Sequence, residues 1–207
     1  MMQNSKIIGI TGGIASGKST LCTLLSNMSY TIINTDNITH DLYTKGNKGY
    51  KKILEIFGEK ILDKYRNIDR KKLGNIVFND KKKMLQLEDL IHPLVMEEVL
   101  NKVEKTDEKI IFVEIPQLFE AYDKVTQYIN FYEIWLIYVD EKEQLKRLIK
   151  RDNLSKEEAI KRINSQMSLE EKKLKADFLI ENNGNIEDLE LKLINKIKME
   201  TEKIWNS

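Results

Sequence analysis

Disulfide bonding is closed to this chain of 207 residues, because it holds a single cysteine, Cys22. With no second thiol an internal bridge is excluded, and a reducing cytoplasm is the expected compartment. Cys22 lies between Leu21 and Leu25 at helical spacing, which reads as a small packed side chain and not as a nucleophile. Charge of one sign is lacking too. Lys+Arg 34 against Asp+Glu 33 leaves a formal net charge of +1, without the basic footprint that nucleic-acid binding demands. Long apolar runs are absent: Ile110–Val113 is far short of the ~20 residues of a spanning helix. Met1–Lys6 has no apolar stretch of the signal-peptide kind. No internal repeat and no low-complexity tail interrupts the chain, and nothing in the sequence implies a membrane or an obligate protein partner. An Asn-Lys-x-Asp base-reading motif is missing as well. Asn47-Lys48-Gly49-Tyr50 lacks the aspartate and comes too early, which sets aside a guanine-specific GTPase. The chain closes soon after its last strand pattern, leaving no room for the sensor region of a motor or AAA-type ATPase.

What is present is a phosphate-binding loop. Gly12-Gly13-Ile14-Ala15-Ser16-Gly17-Lys18-Ser19-Thr20 satisfies the pattern G-x-x-x-x-G-K-[ST]. A short buried strand, Lys6–Thr11, precedes it, and Ser19–Leu25 follows with apolar residues at helical spacing. Glycines let such a loop turn its N–H groups inward, with the positive end of a helix dipole behind them. Gly13 through Thr20 are therefore the expected ATP-binding residues, with Lys18 reaching the β- and γ-phosphates and Ser19 offering its hydroxyl to Mg²⁺.

Strand and helix patterns then alternate, as in a parallel sheet covered by helices. Thr31–Asp36 is a β-branched run ending in a carboxylate, and Lys109–Glu114, Glu133–Val139 and Ala176–Ile180 read as further strands. The expectation is a three-layer α/β/α domain over 1–207 with a mostly parallel five-stranded sheet. Its core is expected at about 1–36, 106–140 and 176–207, with a helical lid at about 141–175. The mainly helical stretch of about 37–105 is too long for an ordinary crossover and is expected to be a substrate-binding insertion. Within it Gly58 stops one helix and Asp69 caps another, while Pro93 is expected to kink or restart a helix at His92. Asp140 with Glu143, and Ser155 with Glu158, have capping-box spacing. Asn182-Asn183-Gly184 reads as a turn, and Ile186, Leu189, Leu193, Ile197 and Ile204 share one face of a closing helix.

With GTPases and large ATPases set aside, a small kinase remains. Phosphoryl transfer is catalysed mainly by positioning and charge neutralisation, so such an enzyme needs an acceptor-side carboxylate and an arginine-bearing lid. Asp36, at the end of its strand pattern, is placed to orient or deprotonate an acceptor hydroxyl. It also has the chemistry to cap a helix starting at Asn37, and the two roles are compatible. Arg147 and Arg151 are four residues apart and share a helix face, and Arg162 follows on the next helix. Lys146 and Lys150 read as a solvated face.

Taken together these segments resemble the dephospho-coenzyme A kinase family. The loop Ile10–Thr20, Asp36, His92-Pro93-Leu94, Ile115–Glu120, and a later run through Arg151-Asp152, Arg162-Ile163, Ser165-Gln166-Met167, Glu170–Lys172 and Asn182–Gly184 follow that family's pattern in order. The resemblance implies transfer of the γ-phosphoryl of ATP, with Mg²⁺, to the 3′-hydroxyl of dephospho-CoA. It assigns charge neutralisation to Lys18 and Arg147, the metal to Ser19 and the acceptor hydroxyl to Asp36. The adenine falls to the segment around Asn183, and the acceptor to His92 and Arg162 besides Asp36. The chain departs from the family in two places. Asn34 stands where the family commonly has a first acid, and Gln117 replaces a leucine, either lining the acceptor pocket or meeting water. His92 is either an acid–base group or a structural residue beside Pro93. Another small-molecule kinase would lack the His-Pro-Leu and Ser-Gln-Met segments. A non-catalytic nucleotide-binding regulator would tolerate loss of Asp36 and the arginines.

Overall fold

The computed structural model describes residues 5–205. Met1–Asn4 and the side chain of Ile204, on which two of the expectations above fall, lie outside the described residues. In chain order the elements begin β1 (Lys6–Gly12), α1 (Lys18–Asn27), β2 (Thr31–Asn34), α2 (Thr35–Leu42), α3 (Lys48–Phe57), α4 (Arg70–Phe78) and α5 (Lys81–Glu104). They continue β3 (Ile110–Glu114), α6 (Tyr122–Val125), β4 (Glu133–Tyr138), α7 (Glu141–Asp152), α8 (Lys156–Asn164), α9 (Leu169–Lys173), β5 (Phe178–Glu181) and α10 (Ile186–Trp205). Two compact units result. One comprises Met1–Ile33, Asp107–Thr126 and Asn130–Ser207, the other Asn34–Thr106 with Gln127–Ile129.

The five strands form one sheet in the order β2-β3-β1-β4-β5, and the ladders β1–β3, β1–β4 and β4–β5 are parallel. Strand β4 shows why the sheet carries helices on both faces. Trp135 and Ile137 point into a core with Leu21 and Leu25 of α1 and Leu189 and Leu193 of α10, whereas Leu136 and Tyr138 pack with Leu169 of α9. That alternation is the period of a strand, and residues buried on both sides read as a continuous apolar run. Burying side chains such as Ile8, Ile10 and Leu21, all fully buried, contributes about 1.5–3 kcal/mol each against an extended chain. Ile10 of β1 pairs with Glu114 of β3 and Trp135 of β4, so the loop after β1 leaves from the middle of the sheet.

In the helical unit α5 is the spine against which α2, α3 and α4 pack. Asp69 caps α4 as expected, accepting from the N–H groups of Lys71 and Lys72, and Gly58 closes α3. Three expectations are corrected. Strand β2 stops at Asn34, and Asn34, not Asp36, caps α2, its side chain accepting from Asn37 N at 2.8 Å. Helix α5 is not restarted at His92; it runs through Pro93 without a break. Proline removes one ladder donor, and the apolar residues on both sides, Ile91, Leu94, Val95 and Val99, are buried and hold the helix together. The third concerns the box at Asp140, whose N–H is taken by Asn183 Oδ1 at 2.8 Å. Glu143 then pairs with Arg147 and no box forms at α7. The box Ser155/Glu158 is present, and Ser168/Glu171 forms a further one. On α10, Leu189, Leu193 and Ile197 are buried, but Ile186 is exposed.

Candidate active site

The strand–loop–helix unit forms a cleft of about 500 Å³ lined by Gly13, Ala15–Thr20, Arg147, Arg151, Asn182, Gly184, Asn185, Ile186 and Leu189. Gly17 has φ 102 at the N-cap of α1, the left-handed region open to glycine. A Cβ there would lie 2.2 Å from Asn182 Nδ2, so two constraints exclude a side chain. The Lys18 ammonium donates to the carbonyls of Gly12 and Gly13 at 3.1 and 3.3 Å, folded across the loop mouth. Ser19 is exposed beside it.

Three neutral amides pin this loop from outside. Gln166 Oε1 accepts from Ile14 N at 2.9 Å, Gln144 Nε2 donates to Ile14 O at 2.9 Å, and Asn182 Nδ2 donates to Ser16 O at 2.8 Å. Gln144 is 4% exposed and comes so close that a Cβ on Gly13 would meet its Nε2 at 2.6 Å. None of the three carries charge. They fix the loop backbone without adding anionic groups near the phosphates it is shaped to receive. Sequence reasoning assigned no function to Gln144, and it noted Gln166 only within the Ser-Gln-Met segment.

Gln144 and Arg147 lie on the same face of α7. Arg147 pairs with Glu143 at 3.0 Å, both partly exposed. Hydrogen bonds from Arg147 and then Lys146 hold the Glu143 carboxyl below the usual range. A solvent-exposed helical pair of this kind is weak, so Arg147 can exchange it for a phosphate at little cost. Arg151 donates to Asp152 at 2.7 and 3.1 Å and also lines the cleft. Arg162 donates to the same Asp152 at 2.8 Å, on α8, and is not among the cleft residues. Helix α9 fastens to β4 through Tyr138, whose hydroxyl donates to Glu170 at 2.6 Å, and its buried Lys172 pairs with Glu120 at 2.9 Å. Gln117 is exposed and lines neither this cleft nor the second one, in the helical unit.

Asn183 is held by its bond to Asp140 N and does not itself line the cleft. Glu114, 6% exposed at the C-terminal end of β3, is a carboxylate to which sequence reasoning gave no role. Its signal was visible as an acid closing an apolar strand, the pattern that drew attention to Asp36. Burial first, and then the charge and hydrogen-bond acceptor of Glu114, push the Cys22 thiol far up. Cys22 is therefore a protonated packing residue, as its position on the helix predicts.

The helical unit holds a second cleft, of about 410 Å³, and Asp36 lies in its wall with Thr39, His40 and Tyr43 of α2, Arg70, Leu73, Gly74, Val77 and Phe78 of α4, and Leu87 of α5. His92, partly buried within α5, is not among them.

Residues 6–188 match the family model described as Dephospho-CoA kinase. The dephospho-CoA kinase of Carboxydothermus hydrogenoformans is 44% identical over 203 residues, covering 97% of each chain. The solved dephospho-CoA kinase of Campylobacter jejuni superposes with a TM-score of 0.71 at 34% identity, over 98% of this chain and 99% of that one. The crystal structure of TT1252 from Thermus thermophilus gives a TM-score of 0.80 at 31% identity, over 94% and 97%. With a phosphate loop, an arginine-bearing helix and a parallel sheet in the order described, this chain belongs to the dephospho-CoA kinase family of P-loop kinases.

Proposed function

We propose that the protein transfers the γ-phosphoryl group of ATP to the ribose 3′-hydroxyl of dephospho-CoA, giving coenzyme A and ADP. The observation that carries this reading is the grouping of Lys18, Ser19, Arg147 and Arg151 around one loop-lined cleft in a chain of this family. ATP lies with its phosphates on the N–H groups of Gly13–Thr20 and its adenine toward the Asn182–Gly184 turn. Lys18 and Arg147 turn from their present partners to the β- and γ-phosphates as charge shifts between oxygens. Asp36 accepts a hydrogen bond from the 3′-hydroxyl and takes its proton as the new P–O bond forms. Arg162, held on α8 by Asp152, supports the lid, and His92 serves α5.

Ser19 fits Mg²⁺, since its hydroxyl is a hard oxygen donor exposed at the cleft. Among the described residues no group of three or more His, Cys, Asp or Glu could hold a metal ion. One protein oxygen with phosphate oxygens and water suits the octahedral preference of Mg²⁺ bound together with ATP. When bound, the ion would supply positive charge against the phosphates of ATP. No helix among the described residues is long and apolar enough to cross a membrane. A cytoplasmic setting is part of this proposal and rests on the single cysteine.

The test is ATP-dependent ADP release with dephospho-CoA against a panel of nucleoside monophosphates and adenosine. Preference for dephospho-CoA supports the reading, and preference for a nucleoside monophosphate overturns it.

A further inference from the structure

The chain has five arginines, and four of them hold carboxylates. Arg66 pairs with Glu59 at 2.6 Å, Arg147 with Glu143 at 3.0 Å, and Arg151 and Arg162 with Asp152 at 2.7 and 2.8 Å. Among the described residues Arg70 is the exception, with no such ion pair. From the first turn of α4 it contacts His40 Nδ1, and its guanidinium lies 5.9 Å from the ring centre of Tyr43. Arginine has only donors, so the His40 nitrogen accepts, and both neighbours leave the positive charge uncompensated. Imidazole and phenol ring together orient a planar fork, the group best suited to phosphate oxygens. This fork and Asp36 line the same cleft.

We propose that Arg70, steadied by His40 and Tyr43, binds the 5′-diphosphate of the acceptor and makes the enzyme select a nucleoside 5′-diphosphate ester over a bare nucleoside. The inference rests on the assignment of Asp36 to the 3′-hydroxyl. The 3′-oxygen and the 5′-diphosphate sit on one ribose, so an acceptor presenting its hydroxyl to Asp36 carries its diphosphate into the same cleft. Without a cation the diphosphate would meet the Asp36 carboxylate unscreened. Val77 and the ring of Phe78, 79% exposed, give the remaining wall an apolar surface for the uncharged part of the acceptor.

Steady-state kinetics at saturating ATP, with dephospho-CoA and with adenosine as acceptors, test this on wild type, Arg70→Gln and Arg70→Lys. A lost charge-assisted contact corresponds to a rise of roughly 10–100-fold. Arg70→Gln should raise KM for dephospho-CoA by that factor, with kcat and KM for ATP nearly unchanged. KM for adenosine should stay as it was, so the preference for dephospho-CoA falls by the same factor. Arg70→Lys should recover part of it. Equal losses with both acceptors, or no loss with dephospho-CoA, overturn the inference alone. A wild-type enzyme that ignores dephospho-CoA overturns the functional reading together with it. If Arg70→Gln fails to fold, calorimetric affinities of the wild type decide. The preference for dephospho-CoA over adenosine must shrink as ionic strength rises, and a salt-independent preference contradicts the proposal.

Discussion

Asn34 and Asp36 stand two residues apart and do different work. Asn34 caps α2 through its side-chain oxygen, a duty asparagine and aspartate perform about equally well. The family's usual acid and this chain's amide are therefore interchangeable as caps. Asp36, in the first turn of α2, is free of that duty and lines a cleft. Asp36→Asn should lower kcat by roughly 10²-fold or more, because it removes charge and basicity and keeps shape. ATP affinity and the unfolding midpoint should hardly change. Single-turnover rates with parallel thermal melts check this, and a fully active Asp36→Asn enzyme removes the residue from the mechanism. The run Thr31–Asp36 hid the strand's end because β-branched Thr35 continues the strand pattern, while the cap that ends it is visible only in the hydrogen bond to Asn37.

Helix α7 links the loop to the arginines, since Gln144 anchors it to Ile14 and Arg147 and Arg151 extend from it toward the cleft. Arg147→Ala should depress kcat far more than ATP binding, on the order of 10³-fold, because the interaction grows as charge moves between oxygens. A change confined to KM for dephospho-CoA would place Arg147 with the acceptor instead. The amide clamp makes a separate prediction. Gln166→Ala should raise KM for ATP roughly 3–10-fold, the value of one hydrogen bond. Gln166→Glu keeps an acceptor for Ile14 N–H but adds a negative charge beside the phosphates, so ATP binding should be weakest at low salt and recover as salt rises. Two variants that bind ATP like wild type would show that the clamp does not shape the loop. The missing capping box on α7 has the same lesson: Asp140 and Glu143 have the right spacing, but Asn183, distant in sequence, occupies the N–H that Glu143 would need.

Across the whole chain, what could be read from the sequence was whatever repeats locally. The five strands, the phosphate loop, the cap at Asp69 and the shared face of Arg147 and Arg151 all have a short period or a fixed motif. The contacts that complete the site do not. Gln166 and Ile14 are 152 positions apart, and such a pair leaves no periodic trace. Arg70 is one basic residue beside two lysines until the fold shows that its partners are neutral rather than acidic. Pro93 is a breaker by propensity, and the packing of α5 overrides it. The account's central claim concerns what the assembled molecule does, and the product decides it. Incubation with ATP and dephospho-CoA, followed by mass spectrometry and phosphorus NMR, should yield one ADP for each acceptor phosphorylated, with the new phosphoryl on the ribose 3′-oxygen. ADP release without acceptor phosphorylation, or a phosphoryl group at any other position, would contradict it.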